Sequence, residues 1–70
     1  MNNWKTVFTT NNTYRAEIVS GVLIDRGIQA VVINKQDTSY KFGLIEVNVA
    51  QDSILQALKI IEDEINWKDE

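Results

Sequence analysis

The chain has 70 residues, a formal net charge of −3, and neither cysteine nor histidine. A domain of this length gains little free energy from its core, so small domains usually add disulfides, a metal ion or a partner chain. Without cysteine there are no disulfides, thiolate ligands or thiol nucleophile. Without histidine the commonest metal ligand and general base is missing. Association with a second copy is the stabiliser that remains.

The charge and hydropathy patterns argue against two classes of partner. The seven Lys and Arg residues are scattered singly along an acidic chain, whereas nucleic-acid-binding domains normally present a basic surface. No apolar run exceeds four residues, and a membrane-spanning helix needs about 20. We therefore expect no nucleic acid and no membrane as partners, and a cytoplasmic location. We also expect one domain over residues 1–70, with its core at about 4–66.

The beginning of the chain predicts a strand followed by a helix. Residues 4–10, WKTVFTT, are rich in β-branched and aromatic side chains, as strands are. Asn11 or Asn12 can then accept hydrogen bonds from the first N–H groups of a helix over residues 13–26. One stripe of this helix is apolar and comprises Ala16, Val19 and Leu23.

The end of this helix is the clearest local signal in the chain. Gly27 can adopt the left-handed conformation that terminates a helix, and Ile28 just beyond it can pack back onto Leu23. Two further strands are then predicted, IQAVVIN at 28–34 and GLIEVNV at 43–49. The latter alternates, with one face carrying Ile45, Val47 and Val49 and the other carrying Leu44, Glu46 and Asn48.

A second helix is predicted over residues 51–65, QDSILQALKIIEDEI. Ser53 and Gln56 have the spacing of a capping box, and Asp52 is the competing cap. The apolar stripe of this helix comprises Ile54, Ala57, Leu58, Ile61 and Ile65.

The C-terminal part of the second helix is less regular. The acidic run EDE at 62–64 lies where the helix dipole disfavours anions, so we expect the last turn to fray or to continue past Lys68. Ile60 and Trp67 project away from the apolar stripe. They are an alternative site of contact between copies.

The element order β-α-β-β-α predicts an α+β fold. Two helices with one apolar stripe each can cover only one face of a three-stranded sheet, which gives a two-layer sandwich. A ferredoxin-like plait that lacks its last strand meets this condition. In that plait the third strand is central and antiparallel to both neighbours.

The other face of the sheet is predicted to lack a cover. If Val7 faces the helices, then Trp4, Thr6 and Phe8 point away from them. The second strand is apolar on both faces, which is typical of a strand covered on both sides. We therefore predict self-association, the alternative being an open sheet that carries one or two apolar residues with no partner. The predicted contact residues are Trp4, Phe8, Val31 and Ile33.

Residues 34–43, NKQDTSYKFG, form a long connection between two strands. Its amides, hydroxyls, lysines and carboxylate could hold a small anion or a peptide backbone. The alternative is a plain polar hairpin, because Asn, Asp and Ser bond to nearby backbone and Gly ends a turn. A ligand site here would comprise Asn34, Lys35, Gln36, Asp37, Tyr40 and Phe42.

Catalysis has little support in the sequence. The carboxylates at 62–64 are consecutive, so on a helix they diverge by about 100° and do not share a substrate. No spaced acidic motif for Mg²⁺ or Ca²⁺ is present. We predict a non-enzyme with no catalytic residues, no cofactor and no metal site.

Several short motifs occur, each once, in a fixed order along residues 4–61. They are AE at 16–17, L and GI at 23 and 27–28, NKQD at 34–37, FG at 42–43, and alanine at 57. In order and spacing they resemble a small prokaryotic family labelled "putative signal transducing protein", which is regarded as related to the PII signalling proteins. The resemblance implies a PII-like, ferredoxin-like module with a role in signalling or regulation. PII proteins bind ATP through a glycine-rich loop with basic residues. The glycines here stand only at 21, 27 and 43, so ATP binding is not expected.

These observations predict a non-enzymatic regulatory or signalling binding module that acts as a homodimer or small homo-oligomer. A small metabolite or a protein is its further partner. The alternative is a structural or protein-interaction domain that pairs through its exposed sheet face or its edge strand.

Overall fold

The computed structural model describes residues 3–36 and 44–65. Along the chain the elements are β1 (Trp4–Thr10), α1 (Thr13–Asp25), β2 (Ala30–Asn34), β3 (Ile45–Ala50), a 3₁₀ turn (Gln51–Ser53) and α2 (Ile54–Glu64). The strands form an antiparallel sheet in the order β1-β3-β2. The predicted α+β class and β-α-β-β-α order are therefore confirmed, and β3 is central as expected. In the part of the chain that the structure describes, no helix is long and apolar enough to cross a membrane.

Helix α1 begins at a side-chain cap. The Asn12 side-chain oxygen accepts hydrogen bonds from the backbone N–H groups of Tyr14 (2.9 Å) and Arg15 (3.3 Å). Asn12 itself is in the extended conformation that an N-cap requires. Of the two asparagines considered from the sequence, Asn12 is the cap.

Helix α1 ends as its sequence predicts. Gly27 has a φ of 90°, and its N–H donates to the carbonyl of Ile24 at 3.0 Å. The N–H of Ile28 donates to the carbonyl of Leu23 at 2.9 Å. These two bonds define a Schellman motif. Because Ile28 and Leu23 are both buried in the same cluster, the motif also fixes where the chain leaves α1 to begin β2.

The core lies between both helices and one face of the sheet. The central strand β3 supplies alternate side chains with no exposed surface. Burying a side chain of this size fully contributes roughly 1.5–3 kcal/mol. The buried apolar residues are Ala16, Val19, Leu23, Ile28, Ile45, Val47, Val49 and Ala57.

Strand β1 contains a bulge at Val7. Thr6 pairs with Asn48, whereas Phe8 pairs with Val47, the neighbouring residue of β3. The extra residue in β1 shifts its alternation by one, so Phe8 lies on the helix side and packs against the core. The predicted placement of Phe8 on the uncovered side is wrong for this reason.

Helix α2 begins without the predicted capping box. The 3₁₀ turn leads directly into α2, and the side chain of Ser53 makes no capping hydrogen bond. The backbone of Ser53, at φ −104° and ψ 6°, lacks the extended conformation of an N-cap that bonds through its side chain. Neither the pairing of Ser53 with Gln56 nor a cap at Asp52, which lies within the turn, is observed.

The apolar stripe of α2 is rotated slightly from its predicted position. Ile60 packs against the core, whereas Leu58 is 43% exposed. The helix ends at Glu64, whose carboxylate pairs with the guanidinium of Arg26. Of the two predicted alternatives, continuation past Lys68 is therefore wrong, and fraying of the last turn stays a prediction. Trp67, the other half of the alternative contact site, lies outside the described residues.

Candidate functional site

The side of the sheet opposite the helices, called the open face below, is the candidate site. Its members follow from the strand register, because residues paired across an antiparallel sheet project to the same side. Asn48 and Glu46 of β3 alternate with the core residues and have partners in both neighbouring strands. The open face comprises Trp4, Thr6, Thr9, Val31, Ile33, Glu46 and Asn48.

The apolar part of the open face lies along β2. Val31 is 43% exposed, and Trp4 and Ile33 are half-buried. With Asn48 they line a shallow cavity of about 360 Å³. A second cavity, of about 540 Å³, shares Trp4 and Val31 with the first and extends to Ile28 at the end of α1. The two cavities therefore form one continuous, largely apolar surface.

The polar part of the open face is bonded within itself. The Thr6 hydroxyl lies 2.7 Å from Asn48 Oδ1 and 3.3 Å from Glu46 Oε1, and it can donate to either. Lys35 Nζ lies 3.3 Å from the other carboxylate oxygen of Glu46. Asn48 is only 8% exposed, yet no buried side-chain nitrogen or oxygen of a described residue lacks a hydrogen-bond partner. Any recognition at this face would therefore depend chiefly on its apolar part.

The predicted ligand residues at the end of β2 contact the chain's own groups. Asn34 Oδ1 accepts from the backbone N–H of Gln36 at 2.8 Å, and Gln36 Nε2 donates to the carbonyl of Asn11 at 3.3 Å. The backbone N–H of Lys35 donates to the carbonyl of Leu44 at 3.0 Å. These bonds are typical of the start of a hairpin connection. A ligand site here stays a prediction, and its other members, Asp37, Tyr40 and Phe42, lie outside the described residues.

The residues predicted to contact a second copy are divided between the two faces. Trp4, Val31 and Ile33 line one cavity on the open face, whereas Phe8 packs on the core side. The sequence placed Asn48 on the open face but did not show that it is buried. The available signal was an asparagine in the middle of an apolar central strand, where a buried amide needs a partner.

The ionisable groups of α2 are arranged as a solvated face. Asp63 Oδ2 lies 3.2 Å from Lys59 Nζ, one helical turn earlier, and Glu64 pairs with Arg26. Within residues 3–36 and 44–65, no group of three or more Asp, Glu, Cys or His side chains is placed to hold a metal ion.

A protein family described as "Putative prokaryotic signal transducing protein" matches residues 4–65. This span contains the three strands and two helices of the fold. The chain belongs to this family. The family description associates the chain with signal transduction, as a small signalling-related domain. No curated protein and no solved structure gives a match.

The family match includes every residue of the open face and both of its cavities. It also includes the 34–43 connection. The fold and the candidate site therefore both lie within the part of the chain that defines the family.

Proposed function

We propose that this member of the family is a cytoplasmic, non-enzymatic regulatory module that acts as a small homo-oligomer and uses the open face and its adjoining β2 edge as its contact surface. The observation that carries the proposal is the apolar surface around Trp4, Val31 and Ile33, which no element of residues 3–36 and 44–65 covers. Burial of apolar area contributes roughly 25 cal/mol per Å², so such a surface favours contact with a second molecule. The family description and the resemblance to relatives of the PII proteins support the regulatory role.

The cavity beside Trp4 supports a small, largely apolar effector as a further ligand. Its volume of about 540 Å³ falls within the roughly 300–1,000 Å³ of typical small-molecule sites. Six of the seven residues that line it are apolar or glycine, and Gln29 supplies the polar group. The full lining is Trp4, Ile24, Gly27, Ile28, Gln29, Ala30 and Val31.

A ligand panel read by thermal shift tests the effector. The panel contains nucleotides, 2-oxo acids, divalent ions and flat apolar compounds, and any hit is mapped by amide chemical shifts in NMR. We expect at least one class to raise the melting temperature and to shift the amides around Trp4 and Val31. Stabilisation by none of these classes would contradict the effector proposal, as would shifts confined to α2.

Two matched lysine substitutions place the effector site. Val31→Lys puts an ammonium group in the cavity and is expected to weaken effector binding about tenfold or more, because burying an unpaired charge costs over about 1.4 kcal/mol. Leu55→Lys changes a side chain that is 82% exposed on α2 and should leave the affinity unchanged. Equal effects of the two substitutions would place the ligand elsewhere.

A second candidate function is a protein-interaction domain that pairs through an edge strand. The uninterrupted edge of β2 favours it, since an exposed edge can accept an extended strand. The two candidates differ in one observable. The interaction domain retains a protein partner in a pull-down while the whole ligand panel leaves its melting temperature unchanged.

A further inference from the structure

The two edges of the sheet differ in how well they are protected. Strand β1 carries the bulge at Val7 and a charge at Lys5, and both features disfavour pairing with another chain. Strand β2 pairs with β3 without a register shift over its whole length. Its sequence, AVVIN, contains no charge and no proline. An additional strand is therefore expected at β2 rather than at β1.

The hydrogen-bonding groups on this edge follow from the β2–β3 register. The N–H of Lys35 donates to the carbonyl of Leu44, which continues the pairing in register. In an antiparallel ladder, hydrogen-bonded pairs alternate with pairs whose backbone groups point outward. Val31 and Ile33 therefore bond to β3, as Lys35 does. Ala30, Val32 and Asn34 have N–H and C=O groups that point to the outer edge of β2, where no other described strand pairs with it.

We propose that β2 pairs antiparallel with β2 of a second copy, about a two-fold axis through Val32. Val32 then faces Val32 of the second copy, and Ala30 faces Asn34. Each outward N–H of one strand meets an outward C=O of the other, so the edge is complementary to itself. This inference deepens the proposed function and depends on it, because it names how the homo-oligomer forms.

Neighbouring registers satisfy fewer of these groups. Moving the axis to residue 31 sets Asn34 against Ile28, whose N–H already donates to a carbonyl of α1. Moving it to residue 33 sets Ala30 against Gln36, whose N–H already donates to a side chain. Of these three registers, only the axis through Val32 lets the outward N–H and C=O groups of Ala30, Val32 and Asn34 in both strands form hydrogen bonds across the contact.

The side chains agree with this pairing. On the open face, Val31 lies beside Ile33 of the second copy, so β-branched side chains meet on both sides of the axis. Residues 27–34 contain no charge, and Lys35 faces the neutral Gln29. The apolar surface around Trp4 in each copy then belongs to one six-stranded sheet. Because a single strand on each side forms the contact, the association should be reversible and dependent on concentration.

Opposite charges at the axis provide the decisive test. Val32 is 36% exposed at the edge, so Val32→Lys and Val32→Glu each place a like charge against itself in the dimer. Each variant alone is expected to associate at least about tenfold more weakly than the unmodified chain in sedimentation velocity, because charges directly opposite repel. An equimolar mixture of the two should recover the association. Leu55→Lys, at a position on α2 that is 82% exposed and lies outside the open face and both sheet edges, is the control and should associate normally.

Cysteine substitutions repeat the test with little risk to the fold. The chain contains no cysteine, and Val32→Cys changes the side chain only slightly. Cα atoms of a hydrogen-bonded pair lie about 5.5 Å apart, which is within the range that a disulfide can bridge. In a mild redox buffer Val32→Cys should cross-link far faster than Leu55→Cys, whose position on α2 lies outside the open face. Ala30→Cys should cross-link to Asn34→Cys faster than either does to itself.

Each outcome supports or overturns the inference. Recovery in the charged mixture together with fast cross-linking at residue 32 supports it. Association of Val32→Lys as tight as that of the unmodified chain, no recovery in the mixture, or cross-linking no faster than at residue 55 overturns it. If Ile33→Lys dissociates the oligomer while Val32→Lys does not, the register is overturned and the open-face contact stands. A chain that is monomeric at every concentration overturns both the register and the proposed homo-oligomer.

Discussion

Gly27 shows how far a single residue determines the course of the chain. Its positive φ lets the N–H of Ile28 reach the carbonyl of Leu23, and both of these side chains enter the core. The direction in which β2 leaves α1 therefore depends on one left-handed residue. At the other end of α1 the cap at Asn12 likewise depends on residues close in sequence, because its side chain accepts from the N–H of Tyr14.

Alanine substitutions at two glycines should have opposite effects on stability. Gly27→Ala is expected to lower the free energy of unfolding by about 1 kcal/mol, because an L residue at positive φ is strained, although no atom lies within 4 Å of the new Cβ. Gly21→Ala lies inside α1 with equally free space around its Cβ. It should raise the free energy of unfolding by about 0.5–1 kcal/mol. Urea unfolding measures both, and changes of the same sign would contradict this description of the helix end.

Pairing with β3 determines on which side of the sheet each side chain of β1 lies. The bulge at Val7 turns Phe8 toward the core and leaves Trp4 and Thr6 on the open face. It also bends the β1 edge, so the less protected edge of the sheet is β2. One extra residue in a strand thus influences both the core and the open face.

Phe8→Ala tests the bulge through the core. The expected loss is about 2–3 kcal/mol in the free energy of unfolding, since a partly buried ring leaves a cavity when it is removed. Tyr14→Ala, which removes a ring that is 70% exposed, is the control. It should cost less than about 1 kcal/mol. Similar losses for the two rings would show that Phe8 does not pack on the core.

The elements that the sequence predicted correctly depend on short segments. The Gly27 terminus needs only neighbouring residues, and the alternation of Val31 and Ile33 is a property of one strand. The orientation of Phe8 depends on pairing with a strand nearly forty residues away, so alternation within β1 alone misplaces it. The start of α2 at Ser53 depends on the 3₁₀ turn before it.

The candidate site, like the fold, was predictable only where a single segment determines it. Its apolar members on β2 follow from alternation, but the burial of Asn48 requires Thr6 from a distant part of the chain. The ion pair between Lys35 and Glu46 likewise joins the end of β2 to the central strand. Patterns within single segments do not contain these contacts, because they exist only once the sheet has formed.

At the scale of the whole molecule, two helices cover one side of three strands, and no described element covers the other side. Arg26 and Glu64 link the ends of the two helices on the covered side. On the other side, Trp4 and Val31 join two cavities into one surface next to the free edge of β2. In the proposed function, the β2 edge that pairs with a second copy therefore adjoins the cavity proposed for the effector.

Amide hydrogen exchange, followed by NMR from micromolar to millimolar protein concentration, tests the central claim most directly. If a second copy pairs along the β2 edge of the open face, the outward amides of Ala30, Val32 and Asn34 gain protection as the concentration rises. The amides around Trp4 and Val31 should shift over the same range, while that of Leu55 on the outside of α2 stays constant. Fast exchange of the three outward amides at every concentration, with no shift on the open face, would contradict the claim.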